Sequence, residues 1–275
     1  MRDPQRLSAI AAEMRQDIVE AIYRAASGHP GGSLSIVEIL AALYFDEMRQ
    51  SAEHPDDPGR DRLVLSKGHA APALYAALVQ AGYFPREELM QLRKLDAMLQ
   101  GHPDKKGTPG VDMSTGALGV GISAACGMAA SAKVFGDSFR VYTILGDGEL
   151  QEGMVWEALM FAAHYKLDNL VVIVDDNGLQ IDGPVAEVLG VGPIDRKLEA
   201  FGFEVATVDG HSYEQLFAAF DRARATGGKP FAIVAKTVKG KGVSFMENNA
   251  SWHGTAPKEE QFRQAMGELG KEVPA

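Results

Sequence analysis

Apolar positions recur at two different periods along this chain, and the change of period gives the first view of its architecture. In PQRLSAIAAEMRQDIVEAIYRAA, Leu7, Ile10, Met14, Ile18 and Ile22 follow three- and four-residue spacing, which predicts an amphipathic helix. SGHPGGS then stops it with glycine and proline. Ser35 stands where it can cap a second helix over IVEILAALYFDEM. Beyond the HPDDPGRDR loop, LVLS reads as a short strand and KGHAAPALYAALVQAGY as a helix. Residues 84–112 read as irregular, with one helix in REELMQLRKL. TGALGVGISAACGMAASAKVFG reads as a glycine-started helix of small residues, suited to close packing.

From residue 140 onward the two periods alternate. RVYTILG, NLVVIVDD, FEVATVDG and PFAIVAKTV are strand candidates rich in β-branched residues. MVWEALMFAAHYK, PIDRKLEAFG and SYEQLFAAFDRARAT are helices between them. Strand–helix alternation predicts βαβ units and a mostly parallel central sheet, an α/β fold. No linker, repeat or low-complexity run interrupts residues 1–275, which read as a single domain with a loose tail from about residue 255.

Composition removes several function classes. Hydrophobic residues make up 46% and charged residues 23%, as in ordinary globular chains. A net charge of −10 argues against a basic nucleic-acid-binding face. The single cysteine, Cys126, rules out a disulfide framework within the chain and reads as a packed core residue. The N-terminus is charged and no apolar run approaches the ~20 residues of a membrane span, so the expected location is the cytoplasm.

The candidate chemistry starts at TILGDGELQEG. Asp-Gly is a common hairpin dipeptide, so Gly146-Asp147-Gly148 is read either as a turn or as a site. A helix follows, which weakens the hairpin reading, and in open α/β sheets ligands collect beyond the carboxyl ends of strands. The next strand candidate ends in Asn177. Adjacent parallel strands would set Asp147 beside Asn177, and a carboxylate, an amide oxygen and a carbonyl form a hard-oxygen set suited to Mg²⁺ or Ca²⁺. Mg²⁺ takes its remaining ligands from water and phosphate, so a metal-bridged diphosphate is the expected ligand.

GDGELQEG…DDNGLQIDG resembles the thiamine diphosphate motif. SGHPGGSLS, RDRLVLSKGHAAPALYAAL, GHPD, PGVDMSTGALGVGISAACGMA and VKGKGVSFMENNASWHG resemble the N-terminal, diphosphate-binding part of transketolase, most closely its short, split form. The resemblance covers about residues 5–262. It implies a three-layer αβα thiamine diphosphate-binding fold. It also implies a metal, Mg²⁺ with Ca²⁺ or Mn²⁺ as substitutes, held by Asp147, the Asn177 side chain and the Leu179 carbonyl. Gly148 would approach the diphosphate, Ile181 the thiazolium ring, and Gly116 and Leu118 the aminopyrimidine. For Ile181 and Leu118 the residues alone favour ordinary core packing.

The chain holds seven histidines. The resemblance places His29, His69, His102 and His253 in the active site, with His69 and His253 also beside the cofactor. There they would grip a ketose and move protons. His54, His164 and His211 read as structural. Glu152 and Glu157 are either an acidic helix start or, by the resemblance, residues at a subunit interface. Lys236, Lys239 and Lys241 read as a solvated glycine loop with some anion affinity. Two positions depart from the family pattern: Ala117 stands where proline is common and Val120 where many members carry glutamine.

The family's pyrimidine-activating glutamate and its sugar-phosphate arginines have no counterpart here. The resemblance therefore implies a separate C-terminal transketolase subunit carrying the pyrimidine-binding domain, in an α₂β₂ assembly, and sugar or sugar phosphate substrates. Transfer of a two-carbon ketol unit from a ketose to an aldose is the expected reaction. The alternatives are a split ketolase for an unusual ketose (a sulfo-sugar or a branched pentulose phosphate), a deoxyxylulose phosphate-forming relative, and a noncatalytic cofactor-binding subunit. A nucleotide-binding domain would need GxGxxG or GxxxxGK[ST] after its first strand, and neither is present.

Overall fold

A computed structural model describes residues 2–271. The chain opens with α1 (Pro4–Ala25), where the Asp3 carboxylate accepts from the Gln5 and Arg6 amides and Pro4 fills the first helical position. SGHPGGS does more than end this helix: Pro30–Leu34 forms a short helix, α2. Helix α3 (Val37–Ala42) starts after Ile36 without a side-chain cap and continues as a π-helical turn over Leu43–Glu47. Ser35 is therefore not the expected cap. Its hydroxyl donates instead to Asp175 Oδ2 at 2.8 Å. Strand β1 (Arg62–Leu65) is followed by α4 (Ala71–Gln80), and α5 (Val120–Phe135) precedes β2 (Val141–Gly146). Then come α6 (Gly153–His164), β3 (Leu170–Asp176), a two-residue hairpin of β4 (Leu179–Gln180) and β5 (Gly183–Pro184), α7 (Val185–Leu189), α8 (Ile194–Ala200), β6 (Glu204–Asp209), α9 (Tyr213–Ala225), β7 (Phe231–Lys236) and α10 (Glu259–Glu268).

The main sheet has the order β1-β2-β3-β7-β6, and every neighbouring pair is parallel. Both faces are covered. Along β3, Val171 and Ile173 enter the core built with α1, α3, α4 and α9, while Leu170, Val172 and Val174 enter the core built with α5, α6 and α8. A period-2 strand buried on both faces reads as a continuous apolar run, which is why NLVVIVDD was legible. Small residues of α5 (Ala125, Ala129, Ala132) are fully buried against the sheet. Cys126 lies among them, and burial pushes its thiol up to about 12. Among the described residues no helix is long and apolar enough to cross a membrane.

The expectation of a loose tail from about residue 255 does not hold over its described part. Glu259–Glu268 is helical because Phe262, Ala265 and Met266 fall on one face, and all three are buried against α1. The Phe262 ring stacks on Tyr23 with centroids 4.1 Å apart, and the Gln16 amide donates to the Leu269 carbonyl at 2.9 Å.

The carboxyl ends of the strands are tied together by one buried ion pair. Lys67 follows β1 and Asp175 lies in β3. Their side chains are 1% and 0% exposed and meet at 2.5 Å. Burial disfavours the Asp175 anion, but Lys67 and the hydroxyls of Thr237 and Ser35 outweigh it and hold its pKa below the usual value. Replacing one partner of such a pair strands the other charge, at a cost of about 3–5 kcal/mol. Lys67→Met is expected to lose stability in that range, read from urea unfolding midpoints. A loss below ~1 kcal/mol would show that the pair contributes little.

Candidate active site

Asp147 follows β2 directly, and parallel pairing sets Gly146 opposite Asp175. The residues after Asp147 form a 3₁₀ turn (Gly148–Gln151) and then α6, so this stretch is not a hairpin. Asp147 is 2% exposed. Its Oδ1 accepts from the Gly148 amide at 2.8 Å and its Oδ2 from the Gly178 amide at 2.5 Å. The second contact stitches the end of β2 to the loop carrying Asn177, which is the juxtaposition the motif spacing called for. The Asn177 amide nitrogen donates to Asp175 Oδ2 at 2.8 Å, and its Oδ1 accepts from the Leu179 amide at 3.1 Å. Asp175 thus orients the amide, with the Asn177 oxygen on the loop side.

This donor set fits a hard divalent cation. It combines a carboxylate, an amide oxygen and the Leu179 carbonyl; among the described residues no three His, Cys, Asp or Glu side chains gather as an alternative metal cluster. Burial first, and then the charges of Asp175 and Asp176, push the Asp147 carboxyl up to about 7 despite two amide hydrogen bonds.

A cleft of about 160 Å³ opens beside Asp147, bordered by Gly148, Asn177, Gln180, Lys239 and His253. Lys239 is the residue whose importance the sequence pattern understates. It is 2% exposed, and its Nζ donates to the Leu179 carbonyl at 3.1 Å and lies 3.2 Å from His253 Nδ1. Burial, reinforced by the Lys67 charge, pushes its ammonium down to about 8. The three loop lysines therefore differ. Lys236 is exposed and pairs with Asp176, Lys241 stands 3.5 Å from Glu247, and only Lys239 lines the cleft.

Leu118 and Ile181 also line the cleft. Neither packs in the core: they are 37% and 66% exposed, so the core-packing reading favoured by their apolarity fails for both. Gly116 lies against His102, and a β-carbon at position 116 would sit 3.2 Å from that ring. Glu149 carries no motif signal of its own in the sequence. It is buried and accepts from Ser66 Oγ at 2.5 Å, the Gly119 amide at 2.9 Å and the Gly146 amide at 3.1 Å. It thereby fixes the start of α5, and Leu118 with it, relative to Asp147. Gln151 reaches Gln180 Oε1 at 2.6 Å across the same wall.

Four histidines from four separate segments converge, and two of them, His69 and His253, line the cleft. His29 precedes α2, His69 lies in the turn after β1, His102 lies in the long irregular segment, and His253 follows β7. The His29 ring centroid is 5.4 Å from His69, 6.0 Å from His102 and 5.4 Å from His253, and His69 is 4.9 Å from His253. Gly32 admits the His69 ring, since a β-carbon there would sit 3.2 Å from its Nε2. His29 Nδ1 is buried and finds no hydrogen-bond partner among the described residues. Burial pushes His29 down to about 4, helped by the charges of Arg93, His102 and Lys239, and it pushes His253 down to about 3, helped by Lys239. Burial also holds His69 well below 6.5.

The remaining sequence candidates lie elsewhere. His54 and His164 are exposed. His211 bridges Glu38, at 2.9 Å from Nδ1, and the Val238 amide, at 2.9 Å from Nε2, which is the structural role expected. Glu152 and Glu157 are both exposed at the start of α6, and Ala117 and Val120 are exposed at the start of α5. Met154, Met160, Phe161 and Tyr165 add an exposed apolar face to α6.

A doubly wound parallel sheet with acidic, amide and lysine groups gathered at its carboxyl edge defines a cofactor-binding α/β domain. Residues 7–274 match the family described as the transketolase thiamine diphosphate binding domain, and the chain belongs to that family. It is 46% identical to SqwG, a 6-deoxy-6-sulfo-D-fructose transketolase subunit of Clostridium sp. (strain MSTE9), over 94% of each chain. It is 41% identical to one subunit of the apulose-4-phosphate transketolase of Phocaeicola vulgatus, over 94% of this chain and 92% of that one. Human transketolase is 44% identical across 98% of this chain, which spans 44% of that protein's length. The transketolase structure from Campylobacter jejuni superposes with a TM-score of 0.93 at 34% identity, covering 98% of this chain and 44% of that one.

With pKa values of about 4 and 3, His29 and His253 are neutral near pH 7. Their ring proton resonances are expected to stay flat between pH 8 and 5, where an unperturbed histidine titrates. The unfolded chain takes up these protons near pH 6.5 while the folded one resists, so both groups make stability fall as pH drops from about 6.5 toward 4. Two ordinary titration curves in NMR would contradict this.

Proposed function

We propose that this chain binds thiamine diphosphate through a divalent cation and works as the N-terminal subunit of a two-chain transketolase. The observation that carries the reading is the convergence of His29, His69, His102 and His253 above a cleft that ends at Asp147 and Lys239. Asp147, the Asn177 amide oxygen and the Leu179 carbonyl would hold the metal, with Mg²⁺ the expected ion. Gly148 and Lys239 would face the diphosphate. When bound, the cofactor supplies a nucleophilic thiazolium carbon that also serves as an electron sink.

The chain's own residues do the rest. Exposed Ile181 and Leu118 cover apolar ring surface and exclude water. Glu149 fixes Leu118 by holding the Gly119 amide. The neutral imidazoles can donate and accept hydrogen bonds at sugar hydroxyls, and can take and return a proton as a ketose carbon–carbon bond breaks and an aldose bond forms. Held neutral at pH 7, each ring keeps one N–H donor and one lone-pair acceptor, which suits hydrogen bonding to sugar hydroxyls.

A C-terminal transketolase subunit is the proposed partner, in an α₂β₂ assembly. The exposed apolar face of α6, beside Glu152 and Glu157, offers it a surface. Two relatives that match this chain over nearly their whole length are named for 6-deoxy-6-sulfo-D-fructose and apulose 4-phosphate. They support a second reading of the substrate, a specialised ketose in place of an ordinary sugar phosphate.

Co-expression with a C-terminal transketolase subunit, followed by assay on a ketose panel, tests the reading. Asp147→Asn is expected to keep assembly while weakening calorimetric binding of magnesium thiamine diphosphate at least about tenfold. His29→Asn is expected to keep cofactor binding while lowering turnover by about 10²–10⁴-fold. Full ketol transfer by this chain alone would refute the two-chain proposal.

A further inference from the structure

The loop that delivers Lys239 to the cleft is held by a histidine of the neighbouring loop, the one after β6. In VDGHS, the Gly210 amide donates to the Lys236 carbonyl at 2.8 Å, and a β-carbon at position 210 would sit 2.5 Å from Thr237 Cγ2. Glycine there lets the two loops touch. His211 then reaches across. Its Nδ1 lies 2.9 Å from Glu38 Oε2 in α3, and its Nε2 lies 2.9 Å from the Val238 amide nitrogen. Burial disfavours the Glu38 anion, but the His211 hydrogen bond and the Arg15 charge outweigh it and hold its carboxyl below the usual value. A carboxylate only accepts and a backbone amide only donates. In this geometry the ring therefore carries its hydrogen on Nδ1 and a lone pair on Nε2.

Glu38 grips the segment around Lys239 from both sides. Through His211 it holds Val238, the residue before Lys239. It also accepts from Arg15 Nη2, at 2.7 and 2.8 Å to its two oxygens, and Arg15 Nε donates to the Lys241 carbonyl at 3.1 Å. Main-chain bonds complete the frame. The Gly240 amide donates to the Gly31 carbonyl at 2.9 Å, and the Asn248 amide to the Lys239 carbonyl at 2.9 Å. The Lys239 stem runs close to Gly31, where a β-carbon would sit 3.0 Å from its Cγ. At the far end of that stem Nζ meets the Leu179 carbonyl and His253. A surface loop of glycines and lysines would need none of this. The contacts make sense for a buried ammonium that must stand at one place.

We infer that His211, held by Glu38, is a positioning residue for the diphosphate end of the cleft: it fixes the Val238 amide and, through it, the place of the Lys239 ammonium. Its importance for the diphosphate rests on the reading of the cleft as a cofactor site, whereas the run of contacts from Glu38 to Lys239 stands without that reading. A binding group displaced by about 1 Å loses much of its contribution, so a residue outside the cleft can govern affinity inside it.

The first test needs no substitution. Nitrogen NMR of the full chain is expected to show the His211 hydrogen on Nδ1 and a bare Nε2, and the reverse tautomer overturns the inference. This measurement stands even where a variant fails to fold. Two variants then separate positioning from folding. His211→Asn keeps a donor near Glu38 and removes the acceptor of the Val238 amide, while His211→Gln restores an oxygen near the place of Nε2. Without ligand, the His253 ring signals, which sense Lys239 at 3.2 Å, are expected to move in His211→Asn and to stay near wild type in His211→Gln. Calorimetry with magnesium thiamine diphosphate is expected to show about tenfold weaker binding in His211→Asn, the scale of one charge-assisted hydrogen bond, and most of it recovered in His211→Gln. In a Lys239→Met background the same His211→Asn change is expected to cost less than about twofold, because the residue it acts through is gone. Equal losses in the two variants, His253 signals unmoved in both, or an undiminished loss on top of Lys239→Met each overturn the inference. A wild-type chain that binds no magnesium thiamine diphosphate counts against the cofactor reading, and the ligand-free His253 signals then decide the role of His211 by themselves.

Discussion

The carboxylate of Asp175 is the point on which the rest of the site depends. Its Oδ2 receives the Lys67 ammonium, the Ser35 hydroxyl and the Asn177 amide, and its Oδ1 the Thr237 hydroxyl. These four groups arrive from the segment after β1, the junction of α2 and α3, the end of β3 and the end of β7. One anion at the end of the central strand therefore sets where four loops begin. It can stay charged in a fully buried position because it is over-supplied with donors. Its charge also acts on Asp147, whose carboxyl is raised first by burial and then by Asp175.

Several kinds of group share one cleft: hard oxygens and Lys239 at the strand ends, exposed Leu118 and Ile181 in its wall, and His69 and His253 beside them. Backbone economy explains the arrangement. Parallel strands deliver their loops to the same edge, so residues as far apart in sequence as His29 and His253 meet there without long excursions.

Much of this was legible in the sequence because the two strands that lead into Asp147 and Asn177 announce themselves by pattern. The β-branched runs fixed the strands, and a motif placed beyond them could only lie at the carboxyl edge. His29, His69, His102 and His253 were singled out by the family resemblance of their motifs, since a glycine neighbour marks only a loop and His211 has one too. What escaped notice depends on burial. Lys236, Lys239 and Lys241 look alike in KTVKGKG, and only the packed fold tells which one is enclosed. Leu118 and Ile181 read as core because apolarity is a statement about preference and not about position. Glu149 was hidden beside a more conspicuous aspartate. Its three donors come from Ser66, Gly119 and Gly146, and two of these lie far away in the chain. The ordered helix Glu259–Glu268 was missed because a short polar stretch with three apolar residues acquires its structure from α1 and not from its own propensity.

The scatter of site residues along the chain has a thermodynamic consequence. The cleft draws on segments from before α2 to after β7, so no fragment of the sheet can present it. Occupancy and global folding are then linked quantities, and a ligand that binds only the intact cleft stabilises the whole domain by about 2.7 kcal/mol at a hundred times its dissociation constant. A cell that runs short of such a ligand would then hold a smaller folded population of the domain, open more often to proteolysis.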